Sequence, residues 1–188
     1  MYKHCITEES SRRQHQIEQN LLELMLLKPY EQISVKEICD LAGISRKSFY
    51  RYFGNKDGAL HALVYHTLMH FNDLQLHATT ADIQQASEAF FLFWKEHDPL
   101  LQVLTNNRLY HVLIQCILDF IRQEEAGFLR LLNTGTGGVS QSRLLFTVSG
   151  MVTLVIVWRQ DGYTTSVSEM GRILHQLMLT PLISIPTT

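Results

Sequence analysis

The chain has 188 residues, 46% hydrophobic and 18% charged, with a net charge of −2 and a pI near 6.5. This is enough for one extended or two small globular domains and argues against a protein that coats nucleic acid indiscriminately. Cys5, Cys39 and Cys116 lie far apart without CxxC spacing, no basic-plus-apolar leader is read, and uncharged Leu144–Trp158 is shorter than the ~20 residues of a bilayer span; a cytoplasmic protein with no membrane association is expected.

Residues 1–9 read as a loose lead-in. A first helix is predicted from Ser10 or Ser11 to Leu27, with Ile17, Leu21, Leu24 and Met25 inward, and Pro29 pushes Lys28 out of helical geometry. Ser34 and Glu37 form a capping box that opens a second helix at Val35. Val35, Ile38, Cys39 and Ala42 fall at i, i+3, i+4 and i+7, one stripe that can bury. Gly43 suits the left-handed conformation that ends a helix, and Ser45 can cap a third helix whose inward residues are Phe49 and Phe53.

The outward face of that third helix is read as Arg46, Lys47, Ser48, Tyr50, Arg51 and Tyr52, with three cations and no carboxylate between Ser45 and Phe53. Arg can fork onto guanine O6 and N7, while hydroxyls donate to phosphate oxygens and fix register. Ser34, Lys36 and Ser45 join this expected DNA-facing set. A cationic helix face is ordinarily just solvated; the flanking Gly-Ile-Ser turn and Tyr-Arg-Tyr-Phe run favour DNA contact. Residues 1–60 carry nine Lys/Arg against eight Asp/Glu and the remainder seven against ten, so the basic surface is local.

Asn55 is a good N-cap for a fourth helix running to about Leu76, with Asp57 near its positive end. His66 and His70 lie at i and i+4 with His61 nearby, a spacing that can hold a metal; without a matched carboxylate or thiolate they read as solvated, and no metal or cofactor is expected. Ala81 to Glu96 makes an aromatic-rich helix, and Asp98-Pro99 an N-cap followed by proline. Leu113, Cys116, Ile117, Phe120 and Ile121 mark another helix, and Asn133–Gly138 a flexible break. Ser140 to Gln160 is nearly apolar all round in its second half, which means burial on more than one side. Ser166 and Glu169 open a last helix, and Pro181 and Pro186 close the chain.

Phe90, Phe93, Trp94, Tyr110, Cys116 and Met151 are candidates to line an effector cavity, although a plain core uses the same residue types. No Gly-rich phosphate loop, nucleophile elbow or paired metal motif is present, so no enzyme is expected.

Ala42-Gly43-Ile44-Ser45, Ser48-Phe49-Tyr50-Arg51-Tyr52-Phe53 and Asn55-Lys56-Asp57 resemble the signature of tetracycline-repressor (TetR) family regulators, with a motif-level match over roughly Ser10 to Val64. The chain departs from that pattern at Lys47, where a small residue is usual, and at Gly54, where Pro is frequent. The resemblance implies an all-α fold, with a helix-turn-helix domain over 1–54 and an effector-binding and dimerisation domain over 55–188. It implies a phosphate contact for Lys56 and transmission of ligand occupancy through the fourth helix. It further implies a homodimer built on the last two helices through Val152, Val155, Ile156, Arg159, Ile173, Leu174 and Leu177, reading a palindrome and released by a small, largely apolar effector. The rival readings are an activator of the same fold that recruits a protein partner, and a helical small-molecule or metal-binding protein whose basic helix is incidental.

Overall fold

Short polar side chains set the helix boundaries in the N-terminal part of this protein. In the computed structural model, which describes residues 7–77, 83–122 and 141–179, Thr7 accepts a hydrogen bond from the Ser10 amide and starts α1, Glu8–Leu27. The cap lies upstream of the expected Ser10 start, because Thr7 supplies the oxygen that Glu8 and Glu9 then complement at the helix dipole. A 3-10 turn, Tyr30–Gln32, leads to α2, Val35–Ala42, and α3, Arg46–Tyr52. The rest comprises α4, Lys56–His77; α5, Ile83–Glu96; α6, Asp98–Asn106; and α7, Tyr110–Arg122. The last two helices are α8, Gln141–Gln160, and α9, Val167–Leu179. All regular structure among the described residues is helical, as expected. The glycine-rich Asn133–Gly138 stretch and both C-terminal prolines lie outside the described residues.

Contacts divide the chain into two units, one of Met1–Met69 with Pro99–Ile117, the other of His70–Asp98 with Leu118–Thr188. In the first, α1 packs on α2 and α2 on α3 around Ile17, Leu21, Ile38, Phe49 and Phe53, all fully buried. In the second, α9 lies along α5 and α5 meets α8. The rings of Phe71, Phe90 and Phe93 interlock at 5.0–5.8 Å, and Phe91 meets Trp158 edge-on at 5.4 Å. Such ring pairs add about 0.5–1.5 kcal/mol beyond the area they bury.

A polar cluster ties the α8–α9 turn to the start of α6. Asp98 accepts from Arg159 Nε at 2.8 Å and from the Tyr163 hydroxyl, and Trp158 Nε1 donates to the Thr165 carbonyl at 2.8 Å. Burial, then the Asp98 hydrogen bond, pushes the Tyr163 phenol above its ordinary range. Asp98 is thus the first residue of α6 and a side-chain anchor, rather than the residue preceding it.

Gly171 marks the closest approach of α9 to α5. A Cβ there would meet the Glu88 amide nitrogen at 3.0 Å and its Cα at 3.1 Å, and would collide with Glu88 Cγ. Because backbone cannot swing aside, Gly171→Ala is expected to destabilise the fold by about 1–3 kcal/mol, the usual range for overpacking. A lowered thermal midpoint is the readout; an unchanged one would mean that α5 and α9 are not packed this tightly.

Candidate DNA interface

Two caps and one glycine orient α2 and α3. Ser34 Oγ accepts from the Glu37 amide at 3.3 Å while Glu37 Oε2 accepts from the Ser34 amide at 2.9 Å, completing the capping box. Glu37 Oε1 also pairs with Lys28, so the end of α1 is bonded to the start of α2. Gly43 adopts φ 63° and ψ 34°, and the Ile44 amide returns to the Cys39 carbonyl at 3.0 Å. A residue with Cβ would be strained there, which is why the turn carries glycine. Ser45 Oγ then accepts from the Ser48 amide at 3.1 Å and starts α3.

Within α3 the rings of Phe49 and Phe53, fully buried and 5.3 Å apart, fix the inward side. Arg46, Lys47, Tyr50 and Arg51 are exposed and form one continuous outer face, with Ser48 half-buried beside it. Lys36 is exposed on α2. The hydroxyls of Ser34 and Ser45 are exposed but engaged as caps, and those of Ser45 and Ser48 lie 3.1 Å apart.

Two members of the expected DNA-facing set are placed otherwise. Tyr52 is not on the outer face: it is buried, and its hydroxyl accepts from Arg51 Nη2 at 3.0 Å while the guanidinium carbon stands 5.1 Å from the ring centroid. The tyrosine packs inward and props an exposed arginine, a role that neighbouring positions in sequence do not announce. Lys56 is half-buried, and its ammonium donates to the Tyr30 carbonyl at 2.7 Å and the Ile33 carbonyl at 2.9 Å, 4.0 Å from the Tyr30 ring centroid. Its charge closes the end of the 3-10 turn instead of facing outward.

Tyr30 is the hub of these contacts. Its hydroxyl donates to Asp57 Oδ1 at 2.7 Å and its amide donates to Asn107 Oδ1 at 2.7 Å. Burial and the Asp57 bond push its phenol up. No local pattern pairs Tyr30 with Asn107, since 77 residues separate them.

The histidines also differ from a solvated set. His66 Nδ1 lies 3.0 Å from both oxygens of Glu18, a carboxylate with no exposure, and His70 sits 5.9 Å from the Phe93 ring and 6.0 Å from His97. Among the described residues, no group of three or more His, Cys, Asp or Glu side chains is placed to hold a metal ion, and no helix is long and apolar enough to cross a membrane.

The effector candidates fall in both units: Phe90, Phe93, Trp94 and Met151 are buried in the second, Cys116 is buried in the first, and Tyr110, also in the first, is 47% exposed. Tyr110 is therefore not part of the buried aromatic set, because it occupies the first position of α7. Of the dimer candidates, Val152, Val155 and Leu174 are buried in their own chain, and Arg159 is paired with Asp98. Ile156 and Ile173 are half-buried, while Leu177 is 43% exposed.

A capped helix pair presenting a cationic face on an all-helical scaffold has the layout of a helix-turn-helix DNA-binding module. The family model of bacterial regulatory proteins, tetR family, matches residues 21–63, which contain the whole of α2 and α3. The N-terminal module belongs to the TetR family, and the chain has the fold of that family's regulators. Solved structures agree over nearly the full length. The fatty acid degradation regulator FadR from Bacillus halodurans aligns with a TM-score of 0.63 at 18% identity, covering 90% of this chain and 96% of that one. A TetR-family regulator from Syntrophomonas wolfei gives 0.61 at 16% identity over 92% and 98%. One from Streptomyces coelicolor gives 0.58 at 21% over 88% and 78%. No curated protein matches the chain in sequence.

The Lys28 hydrogen bond, together with the Ser34 amide and hydroxyl, pulls the Glu37 carboxyl down to about 2 from an ordinary value near 4.5. A depressed carboxylate stabilises the fold above its unfolded pKa and loses that effect as pH falls through the folded value. The thermal midpoint of wild type should therefore exceed that of Glu37→Gln at pH 5, with the gap shrinking as pH falls from about 4.5 towards 2. A gap independent of pH would show that the carboxylate is not the capping group.

Proposed function

We propose that the protein is a sequence-specific DNA-binding transcriptional repressor that reads a palindromic operator as a homodimer and releases it on binding a small, largely apolar effector. The observation that carries the reading is the exposed face of α3, where Arg46, Lys47, Tyr50 and Arg51 stand together while Phe49 and Phe53 anchor the opposite side. Arg46, in the first turn, is assigned to a base edge; Lys47, Arg51 and Lys36 are assigned to phosphates, with Tyr50 beside them.

Dimerisation is assigned to the open side of α8. Phe146, Gly150, Thr153, Val157 and Gln160 are exposed and recur at alternating steps of four and three residues. That spacing places them on one seam of the helix, suited to a second helix. Leu177 and the half-buried Ile173 on α9 are assigned to the same interface. Two copies joined there would present two reading helices, and a twofold pair spaced by roughly 34–36 Å or a multiple reads half-sites in successive turns. Buried Val152, Val155 and Leu174 support the seam from inside their own chain.

The effector assignment rests on the second unit, where Phe71, Phe90 and Phe93 pack together and the buried Asn72 Oδ1 has no hydrogen-bond partner. An orphaned buried acceptor costs about 1–3 kcal/mol, and a ligand N–H or O–H would satisfy it.

Selection of duplexes from a random pool, followed by gel-shift titration, tests the central reading. Arg46→Ala should reduce discrimination between the enriched duplex and a one-base variant by about 1–3 kcal/mol, while Lys47→Ala should weaken both and flatten the salt slope by about one unit. If Arg46→Ala left discrimination intact, the base-reading assignment would be wrong.

The seam makes a second prediction. Val157→Glu places a charge on the exposed stripe without touching the buried face, so sedimentation should show monomer at concentrations where wild type is dimeric. Wild type sedimenting as a monomer at operator-binding concentrations would end the homodimer proposal.

A further inference from the structure

We infer that Asn107 is a positioning residue for the DNA-reading helices, linking the turn after α6 to the segment from which α2 begins. The inference rests on the regulator reading above and adds to it a specific point of coupling. Asn107 follows the last residue of α6, where Leu100, Leu101, Val103 and Leu104 are buried. Its Nδ2 donates to the Val103 carbonyl at 2.8 Å and its Oδ1 accepts from the Tyr30 amide at 2.7 Å. Donor and acceptor requirements on the two sides agree, so only one orientation of the amide satisfies both. The reversal is completed by Arg108 at φ 57° and by the Leu109 amide returning to the Leu104 carbonyl at 2.7 Å.

Tyr30 then passes this constraint on. Its carbonyl and the Ile33 carbonyl both accept from Lys56, its hydroxyl is held by Asp57, and Ser34, the cap of α2, follows Ile33 directly. The 3-10 turn is thereby fixed from two directions in the same unit: by the first turn of α4 and by the turn after α6. With Asn107 in place the start of α2 has one position. Without it, the Tyr30 amide loses its acceptor, and the turn keeps its bonds to α4 and the Lys28–Glu37 pair that follows. Any event that moves the α6–α7 turn is therefore felt at α2, and by reciprocity of linked equilibria DNA binding is felt at the α6–α7 turn.

Hydrogen exchange on the full-length protein, with and without the duplex enriched from a random pool, tests this directly. In wild type, duplex should slow amide exchange both at 30–42 and at 103–109. In Asn107→Ala the protection at 30–42 should persist while that at 103–109 is lost, with duplex affinity reduced by about 3- to 10-fold, the scale of one hydrogen bond. Asn107→Asp keeps the acceptor for the Tyr30 amide but sets its second oxygen against the Val103 carbonyl, and should restore the protection at 103–109 only in part. A merely structural Asn107 would lower the thermal midpoint in the Ala variant and leave the duplex-dependent protection at 103–109 as in wild type, which overturns the inference. Duplex binding by wild type without any change at 103–109 overturns it as well and leaves the regulator reading standing. Absence of binding to any duplex removes both.

Discussion

A helix of seven residues does not hold itself together in water. The nucleation cost of a helix is recovered only over about 12–15 residues even in favourable sequences. α3, at seven, exists because Phe49 and Phe53 are buried without residual exposure while Ser45 satisfies its first amides. Full burial of a phenylalanine contributes about 1.5–3 kcal/mol, and a serine cap about 0.5–2 kcal/mol. Everything proposed for the protein follows from that constraint. Because the inner side of α3 carries most of the stability, its outer side is free to hold cations.

The reading head was legible in sequence because its determinants are local. A capping box spans four residues, a left-handed glycine is a property of one, and the apolar stripes of α2 and α3 repeat within two turns. What remained hidden depended on partners distant in the chain. Tyr52 looks like its neighbour Tyr50 until Arg51 bonds to its hydroxyl. Lys56 matches the family pattern for an outward cation, yet two backbone carbonyls at the end of a 3-10 turn lie within reach of its ammonium. An ammonium is a compact donor on a flexible stem and settles where unsatisfied carbonyls converge; no local pattern places those carbonyls.

The polar groups of the second unit make the same point. Asp98 before Pro99 has the composition of a helix start, and α6 does start there. The carboxylate nevertheless reaches residues more than sixty positions away, binding Arg159 Nε and the Tyr163 hydroxyl, with Lys95 above the rings of Trp158 and Tyr163 at 5.9 and 5.6 Å. Tyr163 takes φ 58° beside Gly162 at 68°. Two consecutive left-handed residues reverse the chain between α8 and α9, and the Asp98 and Trp158 contacts hold the non-glycine one in a conformation that L-residues avoid. The anchoring carboxylate comes from another helix, which no local pattern around Gly162 reveals.

The expected dimer residues on α8 divide between buried Val152 and Val155 and half-buried Ile156 and Arg159. A helix apolar on all sides has no single inward direction by period, so Val152 and Val155 were as plausible outside as in. Val148, Met151, Val152, Val155 and Trp158 are buried in the chain's own second unit, whereas Phe146, Gly150, Thr153 and Val157 are exposed. Phe146 is 66% and Val157 46% accessible, and no charged side chain occurs between Leu144 and Trp158 to keep that side in water. Scattered exposed apolar residues need no explanation, but an uncharged side with a four-three repeat from Phe146 to Gln160 is organised, which is the ground for the proposed seam. Gly150 lies in that seam with nothing within 4 Å of where its Cβ would be. Among the described residues no packing requires a glycine there, and inside a helix it costs roughly 0.5–1 kcal/mol relative to alanine; close approach of a second copy's helix is the contact that would justify it.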